Sequence, residues 1–147
     1  MARLMPGPAG HPLQARLVRI VAGYELDLDA EEVEQRLEEI NVLLPHVAAR
    51  VAYIRPATLA ALLRDPGALV PRLITLRNLL PGAGISAIAA AEPELVLLRD
   101  LEALLGDFER LAAMLGPQAD LGWVVQRQPR FLDAELVRWG IRQGCRH

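Results

Sequence analysis

Lysine is missing from this 147-residue chain, and all 16 basic side chains are arginine. Beside so much alanine, leucine, glycine and proline, that choice reads as the codon bias of a GC-rich genome. The functional alternative is selection for a planar guanidinium that pairs bidentately with phosphate. Cysteine is reduced to Cys145, close to His147 in the tail. One thiol makes no internal disulfide and cannot by itself build a zinc site. No apolar run approaches the roughly 18 residues of a membrane span, although 52 % of the chain is hydrophobic and mean hydropathy is +0.22. The surplus apolar surface is therefore expected against neighbouring repeats or a partner protein, not in a membrane.

Chemistry is equally scarce. His11 and His46 have no acid and nucleophile nearby in sequence. Pro81-Gly-Ala-Gly84 is a helix–helix turn, not a phosphate loop. Glu31, Glu32, Glu34, Glu38 and Glu39 read as the solvated face of a helix. Trp123 and Trp139 are expected to pack in the core, with base stacking or a partner contact as the alternative. Nothing points to a catalytic residue, a metal, a cofactor or a small-molecule substrate, so the chain is not expected to be an enzyme.

What the chain has is periodic proline. Pro45, Pro81 and Pro117 recur at 36 and 36 residues, and Pro56, Pro93 and Pro129 at 37 and 36. A period near 36 marks an α-helical repeat array. Proline lacks an N–H, clashes with the preceding turn and pushes the residue before it out of the α region. Each first proline should end a long helix and open a short one, where the first helical position tolerates it. Each second proline should end the short helix and start a third element.

Between the two marks the apolar positions follow helical spacing. They are Ala48, Val51 and Ala52 in copy one, Ile85, Ile88 and Ala89 in copy two, and Leu121, Val124 and Val125 in copy three. The expected fold is all-α: a right- or left-handed superhelical solenoid of about three repeats of roughly 36 residues. Its core should contain Leu79, Leu80, Ile85, Ile88, Leu95, Leu115, Leu121, Val124 and Phe131. Asp29 with Glu32 predicts a capping box for a helix over 30–44. Asp65-Pro66-Gly67 predicts a turn. Further helices are expected over 68–80, 100–115 and 134–143, the last capped by Asp133. A fourth first-proline would fall past His147, so the array reads as three copies plus one helix.

Residues 1–24 hold Arg3, Arg16 and Arg19 and no acid, and 12–21 should form a helix with Leu13, Leu17, Val18 and Val21 on one side. Such a start resembles an organelle transit peptide, but the first serine is Ser86. An N-terminal extension or cap is the better reading, with the repeat domain over 25–147.

The segments Ile88-Ala-Ala-Ala-Glu-Pro93-Glu-Leu95-Val-Leu and Asp120-Leu-Gly-Trp-Val-Val-Gln-Arg-Gln-Pro129-Arg-Phe-Leu132 carry a family likeness. Both resemble the aspartate-isoleucine, apolar pair, proline, x, leucine-leucine core of the mitochondrial transcription termination factor (mTERF) family of organellar helical-repeat proteins. The likeness covers about residues 33–143. Copy one has a shorter spacer and lacks paired leucines after Pro56, and only copy three keeps the aspartate, as Asp120. The resemblance implies a nucleic-acid-binding protein of the mitochondrion, or alternatively the chloroplast.

Charge limits that implication. The net charge is −2, whereas a dedicated duplex-DNA binder shows a strongly basic domain. Glu25 to Glu39 carries −7, Arg50 to Arg77 +4, Glu92 to Arg110 −4 and Asp120 to Arg146 +2. Arg50, Arg55, Arg127 and Arg130 flank the second-proline positions of two copies. They are either ordinary solvated helix ends or a strip that contacts phosphate. The expected partners are RNA, ribosomal RNA included, and neighbouring protein subunits of a complex such as a mitochondrial ribosome. A DNA-binding regulator and a purely protein-binding scaffold are the alternatives.

Overall fold

The computed structural model describes residues 12–133, and no strand occurs among them. The helices are α1 (Pro12–Leu26), α2 (Ala30–Leu43), α3 (Pro45–Ala48), α4 (Pro56–Arg64), α5 (Leu69–Leu79), α6 (Ile85–Ala91), α7 (Leu101–Leu115) and α8 (Leu121–Arg127). Short 3₁₀ segments lie at Val51–Tyr53, Pro66–Ala68 and Pro129–Leu132, and a π-helical turn at Glu94–Leu98. The expected helix over 134–143, its Trp139, and the tail with Cys145 lie outside the described residues.

All six prolines fall between helices or at a helix start, but Pro81 and Pro117 lie in turns and do not open the next helix, which begins at Ile85 and Leu121, and α3 ends at Ala48, well before Pro56. α2 stops at Leu43 and α3 opens on Pro45, while α4 opens on Pro56. α5, α6, α7 and α8 each stop one or two residues before Pro81, Pro93, Pro117 and Pro129 respectively. Side chains fix the starts. Asp29 Oδ1 accepts from Glu32 N at 2.8 Å and Glu32 Oε1 accepts from Asp29 N at 3.2 Å, closing the capping box. Asp100 accepts from Ala103 N at 3.2 Å and Asp120 from Trp123 N at 3.1 Å, each capping the next helix. Gly116 ends α7 at φ 88° and ψ 168°, a backbone region open essentially to glycine alone.

The chain divides into two compact units, Met1–Pro71 and Arg72–His147. In the first, Ile40, Leu44, Val47, Leu59, Leu62 and Leu63 form the centre of the core. α1 runs past residue 24 to Leu26 and lies chiefly against α4 and the Val51–Tyr53 turn, where Gln14 Nε2 donates to the Ala52 carbonyl at 2.9 Å. Its buried side is made of small residues, Val18, Ala22 and Gly23. Of the four apolar positions expected on one side of this helix, only Val18 is buried; Leu13, Leu17 and Val21 are exposed. A Cβ on Gly23 would meet Val33 Cγ2 at 2.8 Å and the Leu28 carbonyl oxygen at 3.3 Å, so glycine allows the close approach. Gly23→Ala would gain about 1 kcal/mol of helix propensity elsewhere. Here crowding of about 1–3 kcal/mol should outweigh it, and thermal unfolding should show a lowered Tm; a raised Tm would contradict this packing.

In the second unit the core is Leu76, Leu80, Ile88, Val96, Leu104, Phe108, Val125 and Leu132. It corrects part of the expected core. Leu80, Ile85 and Ile88 are buried, but Leu79, Leu115 and Phe131 are exposed, and Leu95, Leu121 and Val124 are only half-buried. The elements after Pro93 and Pro129 are π and 3₁₀ turns, and their inward position lies one residue later than expected. In the 3₁₀ turn three residues make one turn, so Pro129 and Leu132 face inward together and Phe131 does not. The residue three after the second proline is buried in every copy: Leu59, Val96 and Leu132.

A second periodic feature was not anticipated. Arg36 Nη1 donates to the Leu63 and Arg64 carbonyls, both at 2.9 Å. Thirty-six positions later, Arg72 donates to the Arg99 carbonyl at 2.6 Å and the Val96 carbonyl at 3.1 Å. In each unit an arginine of the long helix thus caps the free carbonyls ending the third element. Burial pulls the Arg72 pKa below its ordinary value, and Asp100 opposes that shift. Arg72→Met should cost about 2 kcal/mol in urea unfolding, since hydrogen bonds from charged groups contribute roughly 1.5–3. Arg72→Lys should recover little of it, because an ammonium cannot fork across two carbonyls.

Candidate nucleic-acid interface

Arg50 and Arg55 stand in the first unit, Arg127 and Arg130 in the second, and all four are exposed. Arg50 precedes the Val51–Tyr53 turn, and its guanidinium lies over the Tyr53 ring at 4.9 Å. Arg55 is the residue before α4, extended at φ −62° and ψ 140°, as a residue preceding proline should be. Arg127 ends α8 with its guanidinium 4.5 Å from the centre of the Trp123 ring. Arg130 Nε reaches Glu92 Oε1 at 3.5 Å, so its charge is already partly offset.

The sequence reading did not pair these arginines with aromatic rings. Trp123, expected in the core, is 57 % exposed, and Tyr53 is exposed as well. Trp123 is held outward because its backbone N–H is bound by Asp120 while Gly122 and Val125, on either side, turn inward. Gly84 N donates to Gln126 Oε1 at 3.0 Å, which ties the outer face of α8 to the start of α6. Both arginine–aromatic pairs sit in the short element just before a second proline, in copies one and three. Copy two has Ala87, Ala90 and Ala91 over the corresponding stretch. The signal for these pairs was therefore in the alignment of copies: an aromatic and an arginine three or four residues apart.

Chemically, an exposed ring with a guanidinium beside it offers two contacts at once. The ring stacks on an unpaired base, and the cation meets the adjoining phosphate. A cleft of about 480 Å³ beside Arg130 is lined by Glu92, Glu94, Arg99 and Asp133. Its carboxylates repel phosphate, so the arginine–aromatic pairs are the stronger candidates. Among the described residues no cluster of histidine, cysteine or carboxylate side chains is arranged to hold a metal ion. No helix there is long and apolar enough to cross a membrane. No family model, curated protein or solved structure matches this chain.

Proposed function

We propose that this chain is an accessory protein that contacts RNA and protein inside an organellar complex, with its repeats stacked as an mTERF-like solenoid. The observation that carries the RNA contact is Trp123, 57 % exposed and stacked under Arg127. Tyr53 with Arg50 repeats that chemistry in the first unit. Large exposed aromatics are costly to leave in water and are well suited to base stacking. The near-neutral charge favours a small phosphate footprint, single-stranded RNA over duplex DNA, and a role as one subunit among several. A mitochondrial ribosome is the kind of assembly this describes, and a chloroplast complex is the alternative. No catalytic role is proposed.

Four phosphate contacts imply a log–log salt slope of about −3 for single strands, from roughly 0.7 per contact. Titration of a labelled single-stranded RNA followed by anisotropy should give that slope. Replacing Arg50, Arg55, Arg127 and Arg130 together by Gln should flatten it while circular dichroism stays unchanged, since solvated arginines contribute little to stability. Arg130→Gln alone should matter less than Arg127→Gln, because Glu92 already holds Arg130. Binding indifferent to salt and to all four changes would assign the contact to protein and favour the scaffold reading.

A further inference from the structure

α1 has two faces, and the role of only one is accounted for by the fold. Its small residues, Val18, Ala22 and Gly23, are buried in the first unit. On the other side Leu17, Ile20, Val21 and Tyr24 are exposed, Ile20 at 60 % and Tyr24 at 88 %, and Leu13 continues the row at 56 %. Leu13, Leu17, Ile20 and Tyr24 are spaced 4, 3 and 4 residues apart. That 3–4 alternation is the seam of a helix pair, whose knobs need a facing helix of the same period. We propose that α1 is a self-association surface, and that its occupant is the α1 helix of a second copy of this chain.

Two observations select a second copy. The first is the period, because α1 supplies for its twin the complementary 3–4 seam. The second is area. At these exposures the row leaves about 500–600 Å² in water. Two copies would bury roughly 1,100 Å², just past the ~1,000 Å² expected of a specific interface. A groove of about 570 Å³ beside the seam, walled by Arg16, Ile20, Tyr24, Val33 and Glu34, gives the second helix a seat.

Sedimentation velocity of the full chain tests this. An interface of this area is expected to hold in the micromolar range. The mass should therefore rise with concentration from 16.1 kDa towards twice that value. Leu17→Glu with Ile20→Glu should abolish the dimer, with helical circular dichroism unchanged because both positions are exposed. Should that variant lose its fold, Tyr24→Ser, at the most exposed position of the row, should still weaken dimerisation about tenfold or more. A chain that stays at 16.1 kDa at about 100 µM would overturn the proposal, given the micromolar expectation. So would a dimer that ignores the seam substitutions.

Discussion

Leu132→Ala is expected to destabilise the protein by about 2–5 kcal/mol, whereas Phe131→Ala, one residue away, should cost roughly 1 kcal/mol. The order is the reverse of what size alone suggests. Leu132 is fully enclosed, while Phe131 is 43 % exposed. The cause is the 3₁₀ turn that begins at Pro129, which sets Leu132 directly above Pro129 on the inner side. Chemical denaturation of both single variants checks the prediction. A larger loss at Phe131 would mean that the third element of copy three is rotated.

The second large effect is expected at Asp107. It is a buried carboxylate on α7, clasped by Arg99 from one side and Arg110 from the other. Arg99 also donates to the Leu132 carbonyl at 3.3 Å, so the cluster joins α7 to the segments after Pro93 and Pro129. Breaking a buried pair typically costs about 3–5 kcal/mol. Both guanidinia keep some access to water, which lowers the expected loss for Asp107→Ala to about 2–4 kcal/mol. Replacing Asp107 by Leu and Arg99 by Met together should recover most of it, because no uncompensated buried charge remains. A double-mutant cycle in urea would show this as a coupling above about 1 kcal/mol.

Much of the local structure was legible because its causes are local. Proline is rejected from a helix beyond its first turn, so six boundaries could be placed from the positions of the prolines. Asp29 with Glu32 and Asp120 with the Trp123 N–H are contacts over three residues, visible as spacing. The phase of the third elements was not legible. Tertiary packing buries Val96 in place of Leu95 and Leu132 in place of Phe131, the same third position after the proline that Leu59 holds in α4, whether the element is π, 3₁₀ or α-helical. The outward turn of α1 was hidden for a related reason. Its large apolar residues marked the wider face, and the fold buried the small one because close helix contact there depends on Gly23. The arginine–carbonyl caps at Arg36 and Arg72 were hidden too, since arginine at helical spacing looks like any solvated charge.

For the candidate site, the four arginines were chosen for their place beside the second prolines, and exposure holds for all four. Their inequality was not legible. Arg130 has a carboxylate partner 38 residues away in sequence, at Glu92, while Arg50 and Arg127 have aromatic rings within four residues. Tryptophan is rarely left outside unless something uses its face.

Emission from Trp123 is therefore the most direct readout. With Trp139 replaced by Phe, Trp123 is the sole indole, since the chain has 2 tryptophans. Adding single-stranded RNA at low salt should quench and shift its emission, and raising salt should reverse the change. Arg127→Gln in the same background should weaken the RNA titration several-fold. Trp123→Ala in the otherwise native chain should lower affinity by about 1–3 kcal/mol in anisotropy. Emission unmoved by RNA, together with affinity unchanged by Trp123→Ala, would contradict the proposal that this chain meets RNA through its exposed arginine–aromatic pairs.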